Sequence, residues 1–189
     1  LQDVLEYYKR YFSAMQTLGA TVFVLHGNKG PIQAELYAER FAMLAELGKT
    51  FGVVVAQENV ARCTSRSLDF LLQMQKLLGN DAKFVLDIKQ AVRSNENPMQ
   101  MLQKLGSHIV HVHLSDHGEY GDCLPVGKGR FDVRTFLQTL STCSPDCSVI
   151  LELYRSSFNN VQDLVNNYLV IQHMLAPGSA NKTDSIPIR

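Results

Sequence analysis

Apolar and polar positions along the chain follow two rhythms that take turns. Leu5, Tyr8, Phe12, Met15 and Leu18 recur at three- and four-residue steps, one face of a helix, and Gly19 closes it. A β-branched and aromatic run, Thr21 to His26, follows at once and stops at Gly27. The same alternation then repeats. A helical stretch from Gln33 to Leu47, with Leu36, Phe41, Leu44 and Leu47 in phase, leads through Gly48 to a strand over Val53 to Glu58. Another, Ser67 to Leu78, leads through Gly79-Asn80 to Phe84 to Ile88. A shorter helix opens at Asn97-Pro98, a capping side chain followed by proline at the first helical position, and gives way past Gly106 to His108 to Leu114. Asp132 caps the next helix, with Phe131 and Phe136 placed as a hydrophobic staple. Ser148 to Leu153 reads as a strand, and Val161 to Leu175 as a last helix.

Strands beginning near 21, 53, 84, 109 and 149 are one βα unit apart, and their interiors are almost wholly apolar. Strands buried on both faces look like this, so the pattern predicts an α/β fold built on a parallel sheet. Residues 1–176 are expected to form one domain, with a polar, mobile tail over 177–189. No GxGxxG follows the first strand, which weakens a dinucleotide-binding reading, although period alone does not separate an open sheet from a barrel.

Composition narrows the picture little. An apolar fraction of 46% and a charged fraction of 19% are ordinary for a globular domain. Eighteen basic residues balance eighteen acidic ones, which removes the basic field that a nucleic-acid partner would call for. No apolar run reaches the roughly 20 residues of a membrane span, and residues 1–10 lack a secretory apolar core. Cys63, Cys123, Cys143 and Cys147 read as reduced thiols of a cytoplasmic protein, the last two spaced CxxxC rather than as a zinc ribbon. The Asn181-Lys182-Thr183 sequon would matter only in a secreted protein.

The chemistry stands at the strand ends. His26, Glu58, Asp87, His113 and Glu152 each fall at or near the C-terminal end of a separate strand, the edge on which parallel α/β folds build active sites. Three carboxylates converging there without a cation would repel one another and resist burial. With an imidazole they suit one divalent ion, Mn²⁺, Mg²⁺, Co²⁺ or Zn²⁺. Each position also has a plainer reading: Glu58 and Asp87 as helix caps, Glu152 as an ion-pair partner of Arg155, His26 as loop structure. His111 shares a face with His113, but His113 is nearer the strand end. Asp116 and His117 are either turn formers or ligand contacts. Gly127-Lys128-Gly129-Arg130 reads equally as a tight turn or as a phosphate cradle of backbone N–H groups.

The stretches VVVAQEN (53–59), FVLDIKQA (84–91), IVHVHLSD (109–116), PVGKGRFD (125–132) and VILELY (149–154) resemble motifs of the xylose isomerase-like barrel superfamily, which holds sugar isomerases and epimerases, dehydratases and apurinic endonucleases. The resemblance covers most of residues 20–155 and implies a parallel (β/α) barrel of TIM type. It implies one divalent metal ion on Glu58, Asp87, His113 and Glu152. It implies further that Glu58 and Glu152 move protons through an enediolate in a small sugar or sugar phosphate. His26, Gln90, Asp116 and Lys128 become candidate substrate contacts. Gln90 stands where many members carry a histidine, and the Asp-x-His pair of the endonucleases is not found after His113, so a phosphodiesterase of that type is the alternative; a barrel that binds sugar without turnover is another. The HG of His26-Gly27 resembles the end of the superfamily's third strand. With a short strand around Leu124 to Val126, six of eight strands are then expected, the first two βα units lying outside this chain, which begins with Leu inside a helix. A homo-oligomer that covers the open edges is a further expectation.

Overall fold

The computed structural model describes residues 2–176; the tail and the sequon lie outside the described residues. The chain runs α1 (Gln2–Leu18), β1 (Val22–Leu25), α2 (Ala34–Lys49), β2 (Val54–Glu58), α3 (Leu68–Leu78), β3 (Phe84–Asp87), α4 (Ile88–Arg93), α5 (Pro98–Leu105), β4 (Ile109–Leu114), β5 (Asp116–Gly118), β6 (Gly121–Leu124), α6 (Val133–Cys143), β7 (Ser148–Leu151) and α7 (Val161–Leu175). Five strands form one parallel sheet in the order β1-β2-β3-β4-β7. Each crossover carries a helix, and successive helices touch around the outside of the curled sheet.

Side-chain caps start the helices where the sequence pattern expects them. Ser67 accepts from the Phe70 N–H, Asn97 from Met99 and Gln100, and Asp132 from Thr135. The Phe131 and Phe136 rings meet at 5.3 Å, the staple across the start of α6. Between helices and sheet lies the core, where Phe12, Met74, Phe84, Met101, Leu102, Ile109 and Phe136 are sealed from solvent. All four cysteines are free thiols. Among the described residues no helix is long and apolar enough to cross a membrane.

One expected strand is absent among the described residues. The segment around Leu124 to Val126 does not add to the parallel sheet; β5 and β6 form an antiparallel hairpin, and β7 pairs directly with β4. Pro125 has no N–H to give a ladder. Both peptide groups of Val126 are taken by the Asn167 side chain of α7, at 3.1 and 2.9 Å. The parallel strands of the described residues therefore number five rather than six, and an eight-stranded barrel would need three more.

Candidate metal centre

Parallel pairing brings the strand ends to one level. Asp87 is the direct register partner of His113, and Glu152 follows β7 with its N–H on the Leu114 carbonyl at 3.0 Å. Glu58 ends β2, and the buried Asn59 beside it binds the Asp87 backbone twice, donating to its carbonyl (3.0 Å) and accepting from its N–H (2.7 Å). Gly27 turns the chain sharply after β1 at φ 89°, where a Cβ would strike the Tyr37 hydroxyl and the Gln57 amide. These constraints deliver Glu58, Asp87, His113 and Glu152 to one place, with one potential ligand atom from each lying within 4.8 Å of all the others.

The four are close without satisfying one another. His113 Nδ1 lies 2.8 Å from Glu152 Oε2, 3.3 Å from Glu58 Oε1 and 3.6 Å from Asp87 Oδ2. Yet His113 Nδ1, Asp87 Oδ2, Glu152 Oε2 and Glu58 Oε2 are all buried and lack hydrogen-bond partners. Buried polar atoms are seldom left so, and four orphans from four ligand-type side chains at one spot fit a shared dication. Asp87 divides its labour: Oδ1 accepts from the Gln90 N–H and caps α4 at 2.9 Å, while Oδ2 faces the cluster. The helix-cap reading of this residue holds, and it leaves the second oxygen free to serve as a ligand.

Charge follows from this crowding. Burial opposes a charged His113, but Asp87, Glu152 and Glu58 override it and raise its pKa to about 11. His113 holds Glu152 far below the usual carboxylate range, against burial and with help from Lys89. Burial pushes Asp87 up, partly offset by His113, the Gln90 N–H and Lys89.

The remaining candidates fare differently. His26 is exposed just after β1, and its Nε2 lies 3.1 Å from Glu58 Oε2, so it borders the centre. Gln90 spends its side-chain carbonyl on the Ala61 N–H at 2.9 Å, tying the loop after β2 to α4 rather than facing a ligand. Asp116 is a correction. Its two oxygens accept from the N–H groups of His117, Gly127, Gly129 and Phe131 at 2.7 to 3.0 Å, which fills its acceptor sites and leaves none for substrate. The phosphate cradle goes with it, because the N–H groups of Gly127 and Gly129 already point at Asp116. A Cβ on Gly129 would fall on Asp116 Oδ1 and the His117 carbonyl, which is why glycine stands there. Lys128 is exposed on that turn. His111 binds Ser148 Oγ through Nδ1 at 2.6 Å, and burial lowers its pKa.

Sequence reasoning missed Lys89. Its side chain is 4% exposed, and its ammonium lies 3.0 Å from Glu152 Oε1 and 3.4 Å from Asp87 Oδ2, over the Tyr154 ring at 5.2 Å. A lysine on the first turn of a six-residue helix reads as solvated surface; only its place two residues after Asp87 hints otherwise.

Comparison with known proteins agrees with the fold. An uncharacterized protein of Mycobacterium leprae (strain TN) is 26% identical over 185 residues, covering 82% of this chain; the chain spans 64% of that protein's length. A D-tagatose 3-epimerase-like protein superposes with a TM-score of 0.73 at 21% identity, over 92% of this chain and 69% of that one. The IOLI protein, solved with a binding zinc atom, gives 0.72 at 16% identity, over 90% and 69%. Residues 1–171 match the family model described as xylose isomerase-like TIM barrel, and the chain belongs to that family.

Proposed function

We propose that the strand-end cluster is the active centre of a divalent-metal-dependent isomerase or epimerase acting on a small sugar or sugar phosphate. One observation carries the reading: Glu58, Asp87, His113 and Glu152 each bring a potential ligand atom within 4.8 Å of the others, and each has a buried polar atom without a hydrogen-bond partner. When bound, the ion supplies Lewis-acid polarisation of a carbonyl, which acidifies the neighbouring C–H. Glu58, Asp87, His113 and Glu152 hold it.

The chain's own residues do the rest. Glu58 and Glu152 approach from strands separated by β3 and β4, so a substrate carbon held between them presents its two faces to two carboxylates. One carboxylate takes the C–H proton; the C–H electron pair becomes the C=C bond of the enediolate, and the carbonyl π pair moves onto oxygen. Protonation of the opposite face by the other carboxyl, itself protonated from water, inverts the carbon; protonation of the adjacent carbon, with the hydroxyl proton passing to the former carbonyl oxygen, moves the carbonyl along the chain. Glu58 is 3% exposed and Glu152 40% exposed, so Glu152 is the carboxylate open to water. His26 lies 3.1 Å from Glu58 Oε2 on the open side and is the group placed to donate to a substrate hydroxyl. The zinc atom bound by the IOLI protein and the likeness to a D-tagatose 3-epimerase-like protein support the same reading.

The test is exchange of substrate C–H with D₂O across a ketose panel, in protein loaded with Mn²⁺ or Co²⁺ and its metal content counted. One ion per chain and deuterium at the carbon next to the carbonyl are expected. Glu152→Gln should slow exchange by about 10²- to 10⁴-fold. Absence of exchange with every ketose, or undiminished exchange in Glu152→Gln, sinks the proposal; two or three zincs per chain with cleavage of abasic DNA would install the endonuclease reading in its place.

A further inference from the structure

We infer that Lys89 is a resident counter-charge of the metal centre, a positioning residue that limits how tightly the ion is held and stands in for it when it leaves. The inference rests on the metal-centre reading and goes beyond it, since it concerns a side chain outside the four ligands.

Three observations carry it. The ammonium is buried at 4% exposure, and burying an unpaired charge is costly, so its partners define its purpose. Those partners are two carboxylates of the centre, Glu152 Oε1 at 3.0 Å and Asp87 Oδ2 at 3.4 Å, on strands with β4 between them. It meets Glu152 through Oε1, leaving Oε2, the buried atom without a hydrogen-bond partner, facing His113 and the common point. Lys89 thus fixes the rotation of that carboxylate without taking the oxygen an ion would need. The charge balance agrees. Three carboxylates against a dication and a neutral imidazole leave one negative charge over, and the ammonium cancels it. In the ion-free protein the ammonium opposes the repulsion between the Asp87 and Glu152 carboxylates. The Tyr154 ring, with Lys89 at 5.2 Å and Arg93 at 5.4 Å, closes the outer side of the ammonium.

The consequence is a signed effect. Removing a positive charge this close to a dication raises the attraction of the site by more than the rotamer freedom regained by Glu152 lowers it. Wild type, Lys89→Met and Lys89→Arg are stripped with chelator and titrated calorimetrically with Mn²⁺, and thermal unfolding of each is followed with and without the ion. Lys89→Met should bind Mn²⁺ at least about tenfold more tightly, with a lower Tm when stripped and a wider gap between stripped and loaded Tm. Lys89→Arg, which keeps the charge, should return to within about threefold of wild type. A Met variant that folds only with Mn²⁺ present is the same result in extreme form; if it folds under neither condition, Lys89→Gln carries the titration with the same expected direction. Equal or weaker Mn²⁺ binding in the Met or Gln variant overturns the inference, including the case where Tm falls and affinity does not move. Wild-type protein that takes up no Mn²⁺, Co²⁺ or Zn²⁺ overturns the metal-centre reading itself, a separate outcome.

Discussion

The middle of the sheet and its β7 edge are built from the same kind of strand yet treated very differently. Every residue of β3 is buried, as are four of the five in β2; β7 is exposed along most of its length, with Val149 at 39% and Ile150 at 46%. The candidate ligands inherit the difference. Glu58 and Asp87 sit in a fixed frame stitched by Asn59, while Glu152 stands on an edge and depends on His113 and Lys89 for its position. A site can therefore have a rigid half and an adjustable half although all its residues occupy equivalent strand ends. Burial of the supporting strand, rather than residue type, decides which is which.

Three measurements would break or sharpen that contrast. The largest effect is expected from paired truncations in the two strands: Leu86→Ala in β3 should cost about 4 kcal/mol, and Ile150→Ala in β7 less than about 1 kcal/mol, by denaturant unfolding of this chain. Equal costs would erase the distinction. Next comes Asp116→Ala. It orphans four backbone N–H groups in the segment that links β4 to the edge, and Cys123 of that segment donates to the Glu152 carbonyl at 3.4 Å. A loss of about 3 kcal/mol is expected, with hydrogen exchange rising over residues 116–131 and 148–152 before the central strands; uniform exchange would count against a separate edge. The smallest effect is the pH response of ion-free protein. His113 has a folded pKa raised from 6.5 to about 11, so its contribution to stability is complete below about pH 6.5 and is lost as pH rises toward 11. The Tm of stripped protein should fall between about pH 7 and 10, while the ion-loaded protein, whose His113 is already deprotonated, should not share this decline. Parallel curves for the two would mean that His113 does not face the carboxylates as described.

Much of this is readable from residues. The unit spacing, the caps at Ser67, Asn97 and Asp132, and the Phe131–Phe136 staple are local signals with local causes, and together they set the parallel α/β order. The four candidate ligands are legible because a carboxylate or imidazole closing an apolar strand interrupts its pattern, and parallel folds gather such interruptions along one edge of the sheet. What stays hidden depends on partners distant in sequence. The segment Leu124-Pro125-Val126 reads as a strand because it is apolar, and the Asn167 side chain that captures Val126 lies on α7, 41 residues further on. Asp116 looks like a ligand contact because a carboxylate folded into its own loop has the same sequence as one facing a pocket. Lys89 is invisible for a related reason: nothing within its short helix says that Glu152, 63 residues away, will lie against it.

The double hydrogen bond from Asn59 to the backbone of Asp87 has a mechanical consequence. β2 and β3 share only two registered pairs, Gln57 with Phe84 and Glu58 with Val85, so the amide of Asn59 serves as a rivet beyond the end of a short seam. Glu58 and Asp87 hence form a caliper of set width, and swapping a small cation for one of larger ionic radius would have to be absorbed by Glu152 at the exposed β7 edge.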